Sequence, residues 1–375
     1  MKKLMYIALV AVVALTACTK VDMEEIAPRK KVTFQVAGYA PMTKANTSVW
    51  NEFTSFTAKA YLHAEGETQT QNFFGTSGEL ITPYQSNGSS ATESNVSYWG
   101  PSHDYYWPKS TNSYINFIAW YDHRGVAPST ATETSLSWNN YTVQSTDNLL
   151  FADEAWHYRM NTENSLYAND PVAEGVPMLF HHALAQVAFQ AKLKSSAASN
   201  DFRTDITIAE FTLEGIHFTG SLSLINKDPE ERKTQFWKVG TNYDEGTEAN
   251  SASAIIGWTP SGSTGSFEDT NSHELSTTAT PLVSMRTVLP QSVEGMILTL
   301  KYTVKTYRVG SQTPTIVENM TLTDNLDSLV PSITEWMMGH NITYTLEFDP
   351  TTDKIVFEPE IEDWGDPIGS GVTVE

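Results

Sequence analysis

Cys18 is the single cysteine in 375 residues, and its neighbours assign it a chemistry. It closes the run Leu15-Thr16-Ala17-Cys18, behind the basic pair Lys2 and Lys3 and the apolar stretch from Met5 to Ala14. A basic start followed by an apolar segment too short to span a bilayer is the pattern of a removable signal. The four residues fit a bacterial lipobox, in which the cysteine thiol and amine are acylated. Several acyl chains, each contributing ~0.8 kcal/mol per buried CH₂, hold a membrane far better than one reversible chain. Residues 1–17 are therefore expected to be a lipoprotein signal peptide, and Cys18 the lipidated (palmitate-type) first residue of an outer membrane protein. With no second cysteine, no internal disulfide supports the fold, so packing alone must.

Other residues with chemical potential do not assemble into a catalytic or metal set. His181 and His182 are adjacent; on a strand they point to opposite faces and cannot share a metal. Asp153, Glu154 and His157 could gather on one side if the segment made a helical turn, because positions three and four apart face together. Asp104 and the Asp122-His123 pair flank aromatic stretches, with no serine or cysteine nucleophile context. No glycine-rich phosphate loop follows a strand. Paired carboxylates can hydrolyse glycosides. Here, however, Glu230-Glu231, Glu358-Pro359-Glu360 and Glu362-Asp363 fall in runs that suit solvated loops. The expectation is no enzyme, no metal and no cofactor.

The formal net charge of −21 argues against nucleic acid as a partner, since phosphate binding needs clustered cations. Aromatics at 11%, beside abundant Thr, Ser and Asn, suit β-sheet with long polar loops better than a helical bundle. The apolar runs after the signal are short and often alternate, as half-buried strands do. Strands are predicted at 31–36, 56–62, 72–81 (broken by Gly75 and Gly78), 114–121 and 149–151. A second series is predicted at 184–193, 206–216, 221–225, 283–289, 296–307, 342–348 and 354–357. Polar loops are expected at 86–97, 129–140 and 240–276, where apolar content is too low to offset ordering entropy. Short helical turns are expected near 153–159 and 333–338.

The two series echo each other. Val32-Thr33-Phe34-Gln35-Val36 answers to Gln186-Val187-Ala188-Phe189-Gln190, and Phe56 to Leu62 answers to Ile206 to Leu213. Trp107-Pro108 before Tyr114–Tyr121 answers to Leu289-Pro290 before Met296–Val304. The chain is accordingly divided into the signal (1–17), a tether (18–30), an N-terminal sandwich domain (31–175) and a C-terminal one (176–375), the last ending in a flexible tail.

Several segments in order resemble the fimbrillin family of two-domain pilins and pilus-associated lipoproteins. They are the lipobox with a short strand and Met42-Thr43-Lys44-Ala45, and Tyr105-Tyr106-Trp107-Pro108 before the aromatic strand Ile115–Tyr121. Next come Phe180-His181-His182-Ala183-Leu184-Ala185-Gln186-Val187-Ala188-Phe189, Val288-Leu289-Pro290-Gln291 and Trp336-Met337-Met338-Gly339-His340. Ile361-Glu362-Asp363-Trp364 completes the series. The resemblance implies an all-β chain of two transthyretin-like β-sandwich domains in tandem. It also implies an extracellular fimbrial subunit that supports cell adhesion and assembles with other subunits by strand exchange. A trypsin-like protease would cut between Lys44 and Ala45 and release the strand carrying Val32, Phe34 and Val36. The vacated groove would take a donor strand from another subunit, for which Val372, Thr373 and Val374 are the candidate. Where the family more often has Arg at the cut, this chain has Lys44.

One alternative has its own residues. Trp99, Trp107, Trp120, Trp138 and Trp156 cluster in the first half, and exposed aromatics stack on sugars. A surface lipoprotein that binds host or microbial glycans would share the acidity, the β-rich pattern and the lipid anchor. Trp107 and Trp120, however, sit in patterned strand segments, where aromatics usually fill cores.

Overall fold

The computed structural model describes residues 31–38, 53–91, 96–108, 110, 112–153, 155–158, 175–194, 201–225, 237–239, 254–258, 273–349 and 354–364. The first series of strands is β1 (Phe34–Gly38), β2 (Phe56–His63), β3 (Gln71–Asn72), β4 (Glu79–Tyr84), β5 (Tyr98–Pro101) and β6 (Tyr114–Asp122). It continues with β7 (Thr130–Thr132), β8 (Ser135–Thr142), β9 (Leu149–Ala152), β10 (Ala155–Tyr158) and β11 (Val176–His182). The second series is β12 (Ala185–Leu193), β13 (Phe202–Ile216), β14 (Thr219–Ile225), β15 (Trp237–Val239), β16 (Ala254–Trp258) and β17 (His273–Glu274). After these come β18 (Thr280–Val288), β19 (Gln291–Ser292), β20 (Ile297–Arg308) and β21 (Ile316–Asn325). The helix α1 (Leu326–Leu329) then precedes β22 (Glu335–Trp336), β23 (His340–Asp349) and β24 (Lys354–Asp363). Among the described residues no helix is long and apolar enough to cross a membrane.

The first sheet runs β10-β6-β9-β11-β1-β5-β4-β2-β3, and a further pairing of β2 with β6 joins its two sides. The layers so formed enclose an aromatic core of Phe34, Phe56, Phe74, Phe117, Trp99 and Trp107. The alternation of β2, with Phe56, Ala58 and Ala60 buried, shows why these residues make a half-buried strand. Between β3 and β4 the backbone takes positive φ at Gly75 and Gly78, which breaks the run where the glycines suggested.

The second series builds two sheets that face each other, β18-β12-β23-β24 and β16-β13-β20-β21. They share a core in which Phe189, Phe211, Leu300 and Tyr344 are fully buried. The predicted echo is present in the pairings. β1 lies parallel to β11 and β12 parallel to β23; β2 lies antiparallel to β6 and β13 to β20.

Several expectations are corrected. A division after residue 175 cuts the first sheet, because β11 lies between β1 and β9 and continues that sheet to His182. The expected loop at 129–140 holds β7 and most of β8, with Leu136 and Trp138 buried. β8 pairs with β14 of the second series, so the sheet β15-β14-β8-β7 draws strands from both halves. The expected loop at 240–276 contains β16 and β17. The expected helical turn at 153–159 is strand β10, paired with β6, and 333–338 contains β22; the helix falls earlier, at α1.

Candidate functional site

Phe34 and Val36 of β1, with Val32 just ahead of it, lie inward together, at 0%, 8% and 2% exposure, with Gln35 turned out. Thr33 between them is buried as well, and the floor they meet is specific. The Phe34 ring stands edge-on to Phe117 at 5.4 Å, Phe56 at 6.1 Å and Phe74 at 6.2 Å. Edge-to-face pairs of this kind contribute about 0.5–1.5 kcal/mol each beyond the burial itself. At one end Phe53, Trp99 and Phe180 close the cluster around Phe56.

The backbone of β1 is held unequally. On one side five residues pair with β11, from Phe34↔Val176 to Gly38↔Phe180. On the other side Phe34↔Trp99 is the pairing with β5. Ahead of it, Val32 N–H donates to the Tyr105 carbonyl at 2.8 Å, and Lys31 bridges to Tyr106. The Lys31 ammonium also meets Asp104 at 2.7 Å; that contact holds its pKa above the usual lysine value, but the pair is exposed and contributes little. Its counterpart in the second half, β12, is paired along eight residues with β23 and six with β18. The two first strands thus occupy the same place in their domains with very different backbone support.

Gly175 forms the wall of the seat. A Cβ built there would lie 2.5–2.6 Å from the backbone of Phe34, so only glycine admits the strand this close. No sequence signal marked this position.

The remaining expected site residues fall elsewhere. Cys18, Lys44, Ala45, Val372, Thr373 and Val374 lie outside the described residues. β1 ends at Gly38 and the chain is next described at Phe53, so the Lys44–Ala45 bond belongs to the connection between β1 and β2.

His181 and His182 face opposite ways as expected. His181 Nε2 meets Asp153 at 3.0 Å, while His182 is buried, stacked on Trp364 at 4.2 Å with Nδ1 3.0 Å from Asn148 Oδ1. Burial, with His181 beside it, pushes the His182 imidazole down to about 3. Among the described residues no group of three or more His, Cys, Asp or Glu could hold a metal. β10 runs as a strand, so the helical juxtaposition of Asp153 and His157 does not arise; Glu154 lies outside the described residues.

Asp122 belongs to a buried hydrogen-bonded group. Its Oδ2 accepts the Tyr141 hydroxyl at 2.8 Å, and Tyr141 also reaches Asp147, which Arg124 meets at 3.0 Å. Glu358, Glu360 and Glu362 lie on strand β24 rather than in loops. Trp99, Trp107, Trp120 and Trp138 are core residues, at 1–7% exposure, and offer no sugar platform; the Trp156 side chain lies outside the described residues.

Comparison with known proteins then decides the lineage. A family model described as fimbrillin-like matches residues 43–364. The chain belongs to the fimbrillin-like family. The match begins beyond β1 and ends at Trp364. The fold is similar to that of a fimbrial protein from Bacteroides vulgatus ATCC 8482, with TM-score 0.51 and 15% identity over 89% of this chain and 99% of that one. A candidate cell adhesion protein from Bacteroides uniformis ATCC 8492 also matches, with TM-score 0.43 and 14% identity over 90% of this chain and 98% of that one. A search of curated proteins finds no match. Membership gives this fimbrillin-like chain a fimbrial role.

Proposed function

We propose that this chain is a fimbrial subunit made as a lipid-anchored precursor and assembled by exchanging β1 for a strand of another subunit. Cys18 would hold the precursor at the outer membrane. Cutting between Lys44 and Ala45 would free β1 from the body, and a donor strand, for which Val372, Thr373 and Val374 are the candidate, would take its seat. The domains in this reading are two sandwiches whose seam we place between β11 and β12.

The observation that carries the reading is the mismatch at β1. Its side chains complete a core, yet among the described residues β1 is paired through five residues with β11 and through one with β5, with the Val32–Tyr105 bond and the Lys31–Tyr106 bridge just ahead of it. Three buried apolar side chains at about 1.5–3 kcal/mol each give any strand that fills the trench a strong gross driving force. Tethered in cis, β1 wins by effective concentration; once cut, it competes as a free peptide. Removing it separates β11 from β5, and an incoming strand satisfies their exposed backbone groups and the apolar floor together.

Limited trypsin digestion of the full chain tests this. A cut mapping to Lys44–Ala45, followed by SDS-resistant ladders, is the expected result, and Lys44→Ala should abolish both. A chain cut there that stays monomeric would overturn the exchange of strands.

A further inference from the structure

We propose that β21 is a docking edge for a second copy of this chain, which pairs its own β21 antiparallel to it about a two-fold axis at Met320. Among the described residues β21 ends its sheet and pairs only with β20. That ladder runs through all ten residues without a register shift. Long, straight edges are templates for pairing, and proteins usually guard them with short length, bulges, lysine or proline.

Among the described residues each other sheet edge carries such a guard or a row of acids. β24 has Pro359 and the Glu358, Glu360, Glu362 row; β18 has Pro281 and two register shifts; β3, β7, β10, β15 and β16 are five residues or fewer. β21, Ile316-Val317-Glu318-Asn319-Met320-Thr321-Leu322-Thr323-Asp324-Asn325, has ten residues with no proline, no lysine and no register shift, and its two acids, Glu318 and Asp324, stand six positions apart. It also exposes Ile316 at 51%, Val317 at 52% and Met320 at 41%.

The register follows from the backbone and the charges. Leu326 N–H donates to the Met296 carbonyl at 2.8 Å, one step beyond the Ile297↔Asn325 pair. Bonded and non-bonded pairs alternate along an antiparallel ladder, so Glu318, Met320 and Leu322 bond inward to β20. Val317, Asn319, Thr321 and Thr323 therefore turn their N–H and C=O groups to the open edge. A two-fold at Met320 lets Asn319 exchange both bonds with Thr321 of the second copy, and Val317 with its Thr323. It sets Glu318 opposite Leu322 and Asp324 opposite Ile316, so no like charges meet across the pair. Moving the axis to Thr321 would place Glu318 against Asp324, which is repulsive. Moving it to Asn319 would shorten the paired stretch to 316–322.

A single strand pair falls below the ~800 Å² per partner of a standard interface, so the contact is weak in solution and gains where many copies share one surface. It uses neither β1 nor the tail, and so stands apart from the exchange proposed above.

The test is oxidative crosslinking of the full chain carrying Cys18→Ser, which leaves an introduced thiol as the only cysteine. Met320→Cys should give a disulfide-linked dimer, because the two copies of a non-bonded pair at the axis lie within disulfide reach. Thr321→Cys should not, since its like residue is two positions along. Free peptide of sequence 316–325 should suppress the Met320→Cys dimer, as should Thr321→Pro, which removes an N–H that β20 does not use. Deleting 370–375 should leave the dimer unchanged. No dimer at Met320, equal dimer at both thiols, or dimer insensitive to the peptide would overturn the proposal. Loss of the dimer on deleting 370–375 would make the tail the occupant and overturn it as well.

Discussion

A methyl group at Gly175 would stand 2.5 Å from the carbonyl carbon of Phe34, closer than packed carbons come. Because β11 is the side on which β1 is paired throughout, that methyl strikes the better half of its support. Gly175→Ala should therefore lower the melting temperature of the uncut precursor and speed trypsin cleavage in the β1–β2 connection. It should change little in a chain already cut and stripped of β1. Equal destabilisation of both forms would show that Gly175 matters for something other than seating the strand. His182 gives a second test at this scale. Its folded pKa, about 3, lies below the ordinary histidine value of about 6.5, so protons bind the unfolded chain in preference. Its contribution to stability is full above pH ~6.5 and is lost as pH falls towards 3, at about 1.4 kcal/mol per pH unit. Between pH 7 and 5, urea unfolding of the native chain should lose about 2 kcal/mol more than that of His182→Gln. Parallel pH profiles would mean that His182 is already solvated in the folded state.

Strands differ in how plainly they are written. β2, β6, β12, β13, β20 and β23 each bury at least one face in a core, so apolar residues at period two, or a continuous apolar run, announced them. β21 carries no period, because Leu322 is its one residue packed on the core; its order comes from ten backbone pairs to β20. β8 was hidden in a Ser- and Asn-rich stretch, since its partner β14 is drawn from the other half of the chain and no local pattern encodes that meeting. The inward set Val32, Phe34 and Val36 was legible, as was the place of β1 opposite β12 in the internal repeat. What no pattern could state is the one-sided pairing of β1, because that depends on β5 offering a single partner residue and on the absent side chain of Gly175. The contrast between β1 and β12 is a contrast in backbone partners, and side-chain alternation is blind to it.

At the scale of the molecule the two halves are joined by more than a linker. Ala183 and Leu184, between β11 and β12, are fully buried; Ala183 N–H donates to the Leu149 carbonyl at 2.8 Å, and the Leu184 carbonyl accepts Gly339 N–H at 2.9 Å. Trp237 Nε1 donates to the Ala183 carbonyl. Six residue pairs between β8 and β14 cross the same boundary, as does the Thr287 hydroxyl, which donates to the Asp147 carbonyl at 3.1 Å. The larger apolar core includes Trp120, Leu136, Trp138 and Phe151 from the first half beside Leu222, Leu289 and Val293 from the second. Neither half can then unfold without exposing surface that the other covers. The uncut chain should show one calorimetric transition with equal calorimetric and van't Hoff enthalpies, despite its two sandwiches. A fragment starting at Ala183 should bind a hydrophobic dye, because β14 would lose the strand that covers Leu222 and Leu224. Two separated transitions, or a soluble fragment that binds no dye, would show that the halves are independent and that β8 is a detachable ornament on the second. A shared core also limits what losing β1 can do: its seat lies in the separate aromatic cluster around Phe56 and Phe117, so the trench can open while the larger core stays closed.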